Sequence, residues 1–179
     1  MDARHPGAIG AMALVPFVMS GCATSSSPAA APLPDALRAP APQTLVTEVR
    51  ASGVQIYECK AAKEDAARYE WTLRAPEANL LAPKGRVIGK HYAGPTWESE
   101  DGSKVVGTVV AREGGPDATA IPWLLLRAAS TTGPGIFADV KSIQRVHTVG
   151  GKAPADGCTA TDAGKVLRVA YSADYRFYR

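Results

Sequence analysis

Short segments in which polar and apolar residues alternate recur along most of the chain after residue 43. Residues 54–59 (Val-Gln-Ile-Tyr-Glu-Cys) and residues 69–74 (Tyr-Glu-Trp-Thr-Leu-Arg) alternate with a period close to two, which indicates half-buried strands. Similar segments follow at residues 86–92, 96–99, 104–111, 121–129, 141–149, 165–171 and 174–178. Because Gly and Pro separate these short segments, the pattern predicts an all-β single domain, an antiparallel sandwich or partly closed barrel.

Two local patterns make this prediction more specific. Asp101-Gly102 lies between two predicted strands and favours a tight hairpin with a type I′ turn, which needs two residues that tolerate positive φ. Residues 123–126 (Trp-Leu-Leu-Leu) are apolar at every position, so residues 121–129 are expected to form a central strand covered on both faces. A buried helix is the alternative for this segment.

The first residues of the chain have a different pattern. Residues 8–19 are mostly apolar, follow Arg4 and His5, and lead into Met19-Ser20-Gly21-Cys22. This stretch is shorter than the roughly 20 apolar residues that span a bilayer, and it is typical of a bacterial lipoprotein signal peptide. The prediction is a signal peptide over residues 1–21 and a lipidated Cys22. A secretory leader cut elsewhere is the alternative, and both forms are exported.

The predicted location follows from Cys22 and the residues after it. Two or more acyl chains on Cys22 would hold the protein on its membrane, and Ala23 at the next position favours the outer membrane, facing the periplasm. Residues 22–43 are rich in Ser, Ala and Pro with few large apolar side chains, which predicts an extended tether. Residues 44–179 then remain for one folded domain.

The cysteine count agrees with an exported protein. The chain has three cysteines, and lipidation of Cys22 leaves Cys59 and Cys158 in a compartment that oxidises thiols. We therefore predict a disulfide between these two. A pair of metal ligands is the alternative, but neither cysteine lies in a Cys-x-x-Cys motif or a Cys/His cluster, so no metal site is predicted.

Charge and glycine patterns limit the possible partners. The 20 Lys and Arg against 17 Asp and Glu give a net charge of +3 without a basic block, which argues against nucleic acid as a partner. Residues 133–138 (Gly-Pro-Gly-Ile-Phe-Ala) match the Gly-x-Gly-x-x-Ala spacing of dinucleotide-binding loops. However, the chain lacks βαβ repeats, and Pro134 removes a backbone N–H that would bind phosphate. A turn between strands is expected there, and no cofactor is predicted.

His91 and Glu98 are the best candidates for catalytic chemistry. They flank Gly94-Pro95, and if the two side chains converge, an imidazole and a carboxylate can share a proton or bind a metal. A structural histidine on a strand is the competing interpretation. His147 is a possible second nitrogen donor, but two histidines without a fixed spacing are a poor metal signature. No serine lies in a nucleophile-elbow context.

The aromatic residues suggest binding instead of catalysis. Tyr92, Trp97 and Trp123 are candidates to line a groove for a small molecule or glycan, although most aromatic rings in such a domain are expected in the core. The resulting hypothesis is an envelope lipoprotein, anchored in the membrane through lipid, that acts as a binding or structural module for a small-molecule, glycan or protein ligand. The alternative is a hydrolase or metal-dependent enzyme that uses His91 and Glu98.

Several ordered blocks of the chain also carry a family resemblance. They are the Tyr-x-Cys of residues 57–59, residues 89–98 (Gly-Lys-His-Tyr-Ala-Gly-Pro-Thr-Trp-Glu), residues 101–103 (Asp-Gly-Ser), residues 120–125 (Ala-Ile-Pro-Trp-Leu-Leu) and residues 143–151, which begin Ile-Gln-Arg-Val and end Gly-Gly. Together they resemble the domain of unknown function 3455 family of exported bacterial and fungal proteins, over about residues 44–179. The family has no established activity, so the resemblance implies no mechanism. His147 departs from the Asn expected at that position.

Overall fold

The structure is a computed structural model that describes residues 1–2 and 31–179. Within it, eight strands follow one another along the chain: β1 (Leu45–Ala61), β2 (Tyr69–Leu81), β3 (Val87–Tyr92), β4 (Thr96–Ser99), β5 (Lys104–Glu113), β6 (Trp123–Thr132), β7 (Ser142–Gly150) and β8 (Val166–Tyr178). Three short 3-10 turns accompany them at Asp35–Leu37, Pro83–Gly85 and Ala160–Asp162. The prediction of an all-β antiparallel domain is confirmed.

Every strand pairs antiparallel with its neighbour in sequence, and β8 returns to pair with β1. The β1–β8 pairing runs from Leu45 opposite Tyr178 to Glu58 opposite Val166. Of the two predicted architectures the structure has the barrel, and the ring of strands is closed where a partly closed one was expected. The ring is not a regular barrel, because the strands differ greatly in length, from 4 residues in β4 to 17 in β1.

The closed ring divides each strand into inward and outward side chains, as the two-residue period of a strand requires. In β8, Tyr171, Ala173, Tyr175 and Phe177 all point inward and are buried. They pack with inward residues of the other strands, including Val49 and Ala51 of β1, Trp97 of β4, Leu124 and Leu126 of β6, and Ile143 of β7. One hydrophobic core therefore fills much of the ring.

Strand β6 is buried on both faces, as its sequence predicts. Leu124 and Leu126 point into the core, whereas Trp123 and Leu125 point outward and contact Leu37 and Val146. The outer face is covered by residues 31–37, and Leu37 is fully buried there. The side-chain amide of Gln144 in β7 donates a hydrogen bond to the Leu37 carbonyl at 2.6 Å. The buried helix proposed as an alternative for β6 is not formed.

This packing includes residues that the sequence analysis placed in the tether, since residues 31–179 form one compact unit. The physical reason is that the large apolar side chain of Leu37 packs into an apolar site on the outer face of β6. Cys22 and residues 3–21 of the predicted signal peptide lie outside the described residues. No helix among the described residues is long and apolar enough to cross a membrane.

The hairpin between β4 and β5 forms as predicted, but with a different turn. The Gly102 N–H donates to the Ser99 carbonyl at 3.0 Å, and the Ser99 N–H donates to the Ser103 carbonyl at 2.9 Å. Only Gly102 has positive φ, at 86°, whereas a type I′ turn needs positive φ at both central residues. The connection is a longer turn with a left-handed glycine. Asp101 instead uses its carboxylate to fix the loop.

The predicted disulfide is present between Cys59 and Cys158, which are separated by 99 residues. It ties the end of β1 to the loop that precedes β8. In the chain-entropy model, closing a loop of about 100 residues stabilises the fold by up to about 4.7 kcal/mol. The disulfide therefore reinforces the β1–β8 side of the ring, where closure occurs.

The docked N-terminal segment can be tested by truncating Leu37. We expect Leu37→Ala to lower the free energy of unfolding by roughly 2–5 kcal/mol, because it removes a fully buried side chain and leaves a cavity beside Trp123. Leu45→Ala is the matched control, since Leu45 is 52% exposed and its truncation should change stability by about 0.5 kcal/mol. Chemical denaturation of both variants measures the difference. Equal, small losses would show that residues 31–37 do not contribute to the folded domain.

Candidate ligand-binding cavity

The short β3–β4 hairpin leaves a gap in one side of the ring, which we call the notch. Pairing between β2 and β3 ends where Ala78 lies opposite His91, and pairing between β4 and β5 ends where Thr96 lies opposite Val106. Beyond these points β2 pairs only with β1, and β5 pairs only with β6. The two longer strands therefore extend past the hairpin tip without a strand between them.

A cavity of about 250 Å³ opens at the notch and reaches into the ring. Its walls combine apolar and aromatic side chains with a few polar and charged ones. The lining residues are Gln55, Leu73, Arg74, Ala75, Pro76, His91, Gly94, Pro95, Trp97, Val109, Arg112, Leu124, Leu126, Arg145 and Tyr175. Such a concave, mainly apolar site with convergent polar groups is typical of small-molecule binding sites.

Gly107 explains how Trp97 and Leu126 come together in the wall. A Cβ atom at this position would lie 3.1 Å from Trp97 Cζ3 and 3.1 Å from Leu126 Cδ2. Because these distances are shorter than a normal carbon contact, a side chain at residue 107 would push the ring and the leucine apart. Glycine therefore lets β5 pass close behind two of the side chains that line the cavity.

His91 is almost fully buried in the wall of the cavity, with 2% of its surface exposed. Its ring stacks on Trp97 at a centroid distance of 4.4 Å, and Nδ1 lies 2.8 Å from the Thr96 carbonyl oxygen. A carbonyl oxygen only accepts, so Nδ1 carries the hydrogen and Nε2 is left unprotonated. Burial lowers the pKa of His91 to about 3, against the opposing effect of the Thr96 carbonyl. The imidazole is therefore neutral near neutral pH.

The structure does not bring His91 and Glu98 together. Across β3 and β4, His91 lies opposite Trp97, whereas Glu98 lies opposite Lys90. Directly paired residues share a face of the sheet, so His91 points into the ring and Glu98 points out of it. On the outside, the Glu98 carboxylate accepts a hydrogen bond from the Tyr92 hydroxyl at 2.6 Å and lies 3.3 Å from Lys104 Nζ. The hydrogen bond from Tyr92 and the contact with Lys104 lower the pKa of Glu98.

The three aromatic candidates are also separated. Trp97 lines the cavity, but Tyr92 lies on the outer face with Glu98, and Trp123 lies on the outer face of β6 under Leu37. His147 is outside as well, where Nδ1 lies 2.9 Å from the Asp174 carboxylate and the ring meets Trp123 edge-on. Its φ of 49° is a backbone conformation that Asn adopts readily, which gives a structural reason for the Asn expected there.

Sequence reasoning missed four polar residues of the cavity: Gln55, Arg74, Arg112 and Arg145. In residues 54–59 the apolar Val54 and Ile56 suggest an inward face, yet the buried residues are Gln55, Tyr57 and Cys59. Tyr57 and Cys59 follow Gln55 by two and four residues, so all three side chains point to the same face of the strand. This spacing is the sequence signal that could have identified Gln55 as an inward residue. Arg145 lies between Gln144 and Val146, which are buried on the outer face, so its inward position follows only from the ring.

The glycine-rich loop at residues 133–138 connects β6 to β7, and its backbone already binds a carboxylate of the same chain. The Ile136 N–H donates to the Asp101 carboxylate at 2.9 Å, and the Phe137 N–H donates to the Ser103 hydroxyl at 3.1 Å. Partial burial opposes ionisation of Asp101, but hydrogen bonds from Ser103 and Ile136 bring its pKa down to about 2. The expected turn between two strands is what the structure has.

The described residues also contain no group of three or more His, Cys, Asp or Glu side chains arranged to hold a metal ion. Among the polar groups of the cavity, the indole and the guanidinium groups only donate, the Gln55 amide and the Tyr175 hydroxyl donate and accept, and the unprotonated Nε2 of His91 accepts. One imidazole nitrogen beside three guanidinium groups is a poor set of metal ligands. The cavity is instead suited to an organic ligand.

A closed antiparallel ring of eight strands with an open interior cavity places the protein among small β-barrel-like domains. Within that class, the chain belongs to the family described as Protein of unknown function (DUF3455), whose model matches residues 40–86 and 81–179. The family assignment confirms the resemblance seen in the sequence. No curated protein and no solved structure matches the chain.

The burial of a neutral His91 predicts a specific loss of stability in acid. Between pH 6.5 and about 3 the unfolded chain binds a proton at His91 that the folded chain does not, so the free energy of unfolding falls as pH falls. From pH 7 to pH 5 this contribution is about 2 kcal/mol, at about 1.36 kcal/mol per pKa unit. The shifted carboxylates Asp101 and Asp162, with pKa values of about 2, contribute at lower pH.

The measurement is urea unfolding of the wild type and His91→Gln at both pH values. The glutamine amide can still donate to the Thr96 carbonyl, so the variant should lose about 2 kcal/mol less stability than the wild type on acidification. His147→Gln, which removes a histidine from the outside of the ring, is the matched control. If His91→Gln retains the full pH dependence of the wild type, His91 is not buried as a neutral ring.

Proposed function

We propose that the protein is a lipid-anchored binding module of the bacterial cell envelope whose interior cavity takes a small molecule. The cavity at the notch is the observation that supports this most directly. It joins Trp97, Leu124 and Leu126 to polar side chains inside a rigid ring, and the missing wall above the β3–β4 hairpin gives a path for entry. Most of the ligand would be enclosed, as in other interior binding sites.

Binding is favoured over catalysis by the positions of the candidate residues. A general base must be able to exchange a proton near the operating pH, but burial keeps the pKa of His91 at about 3. Glu98 lies on the other face of the sheet and is already bound to Tyr92 and Lys104. No observation therefore favours the hydrolase or metal-dependent enzyme that the sequence left as the alternative.

The envelope location is supported by two features of different kinds. Residues 19–22 (Met-Ser-Gly-Cys) follow an apolar stretch in the manner of a lipoprotein signal. The Cys59–Cys158 disulfide is typical of proteins that fold in an oxidising compartment such as the periplasm. A lipidated Cys22 would hold the domain at the membrane through residues 23–30 and the segment that follows.

Filling the cavity should abolish ligand binding without unfolding the ring. Val109 lines the notch and lies opposite the inward residue Leu126, so Val109→Phe places a ring in the entry. We expect a panel of small aromatic and aliphatic compounds to contain members that raise the melting temperature of the wild type and change Trp fluorescence, and Val109→Phe to lose both responses. Ala170→Phe, on the exposed outer face of β8, should respond like the wild type.

Leu73→Phe on the opposite side of the notch, opposite the inward residue Tyr57, provides a second blocking variant if Val109→Phe is unstable. Circular dichroism establishes that each variant is folded before binding is measured. Undiminished responses in both blocking variants, or no response from the wild type to any compound, would contradict a small-molecule site in the cavity.

Lipidation is tested separately, by labelling expressing cells with a radioactive fatty acid. The wild type should incorporate the label and fractionate with the outer membrane, because two or more acyl chains give stable anchoring. Cys22→Ala should lose the label, whereas Cys59→Ala together with Cys158→Ala should keep it, since those cysteines form the disulfide. Equal labelling of the wild type and Cys22→Ala would remove the anchor from the proposal.

A further inference from the structure

We propose that the cavity recognises the carboxylate group of a small apolar acid, with the Arg145 guanidinium as its ion-pair partner. This deepens the proposed function and rests on it, because it names the class of molecule that the cavity takes. Three observations support it: the positive charge of the lining, the hydrogen bonds of Arg145 and two unpartnered donors beside the cavity.

The charges that line the cavity are all positive. Arg74, Arg112 and Arg145 belong to the wall, and no Asp or Glu is among the lining residues. None of the three arginines forms an ion pair within residues 31–179 of the structure; the acidic side chains that do form ion pairs lie elsewhere on the surface. Three arginines around an apolar opening attract anions and repel cations.

Arg145 is placed to make the direct contact. It is half-buried, and its Nε and Nη2 atoms donate to the Pro122 carbonyl at 3.1 and 2.9 Å. Arg carries five N–H donors in a planar fork, so this anchor fixes the guanidinium and leaves Nη1 with its hydrogens free for a ligand. Its charge also lowers the pKa of His91 and opposes the burial that raises the pKa values of Tyr171 and Tyr175. Arg145 is therefore close to the centre of the ring.

A half-buried cation without a carboxylate beside it is costly, and a ligand anion would offset that cost. Charges removed from water are normally paired in proteins, and the unpaired ones destabilise the fold. His91 cannot serve as the ion-pair partner, because an imidazole side chain is either neutral or positively charged. A bound ligand must therefore supply the negatively charged partner of Arg145.

Two further donors beside the cavity have no acceptor. Gln55 Nε2 and Trp97 Nε1 are enclosed without a hydrogen-bond partner, and each residue is 1% exposed. Buried donors are almost always paired in folded proteins, so two in one cavity wall are unusual. A carboxylate only accepts hydrogen bonds and has about four lone-pair sites, which suits these donors together with the Arg145 guanidinium. A small rotation of the Gln55 side chain would present its donor to the carboxylate.

The remainder of the ligand must be apolar and small. Trp97, Leu124 and Leu126 form the inner wall, and the exposed side chains of Leu73 and Val109 lie at the notch. The volume of about 250 Å³ is below the roughly 300–1,000 Å³ of pockets for drug-sized ligands. Inorganic phosphate would satisfy the arginine but leave these apolar walls without a partner, so an organic acid fits better.

The test compares acids with neutral analogues of the same shape on the full-length protein. The probes are 3-phenylpropionate against 3-phenylpropanol, hexanoate against hexanol, and inorganic phosphate, measured by isothermal titration and by Trp fluorescence. We expect at least one acid to bind roughly 10- to 100-fold more tightly than its alcohol, the size expected for hydrogen bonds to a charged group. Phosphate is expected to bind more weakly than that acid.

Arg145→Gln should remove the preference for the acid, so that the acid and the alcohol bind this variant with similar affinity. The glutamine amide can still donate to the Pro122 carbonyl, so the local fold is kept, and circular dichroism verifies this. Arg127→Gln is the matched control, because Arg127 is exposed on the outer face of β6 and should retain the preference. Arg145→Lys keeps the positive charge but lacks the planar fork of N–H donors, so this variant should retain part of the preference for the acid.

The outcomes separate this inference from the proposed function. If acid and alcohol bind the wild type equally, or if Arg145→Gln keeps the preference, carboxylate recognition is overturned while small-molecule binding stands. Tighter binding of phosphate than of any acid also overturns it. If no acid and no alcohol binds the wild type, and the compound panel gives no response either, both proposals fail together.

Discussion

The pairing of β8 with β1 is the interaction on which the rest of the structure depends. It joins the two ends of a meander that would otherwise present two long open edges, and open edges invite pairing with other chains. Closure creates an inside, so that Tyr171, Tyr175 and Phe177 become core residues together with Trp97 and Leu126. The Cys59–Cys158 disulfide stands on the same side of the ring and strengthens it.

Because its strands differ in length, the closed ring has an interior cavity that opens at the notch. The 4 residues of β4 cannot cover the height spanned by the 13 of β2 and the 10 of β5, and the wall is incomplete above the hairpin. The interior is only partly filled by apolar side chains, so polar side chains also line it. The His91 imidazole is neutral there, and the Arg145 guanidinium is anchored by hydrogen bonds to the Pro122 carbonyl.

The candidate site shows how far the sequence could lead. It identified His91 and Trp97, which do line the cavity, but it grouped them with Glu98, Tyr92 and Trp123, which point away from it. Nearness along a hairpin misleads here, because adjacent residues of a strand lie on opposite faces of the sheet. Gln55 and Arg145 were overlooked because their neighbours in sequence suggested the wrong inward face.

The sequence by itself determined the strands, the hairpin near Gly102, the doubly buried β6, the cysteine pair and the family. These depend on the local alternation of polar and apolar residues, on turn residues and on a small number of cysteines. All of these can be recognised in short segments of the sequence. Only the tertiary structure decided which face of each strand is the interior, where the wall is missing and that Leu37 belongs to the domain. Those properties depend on ring closure and strand length, which bring together residues as distant as Gln55 and Tyr175 and therefore have no local signature.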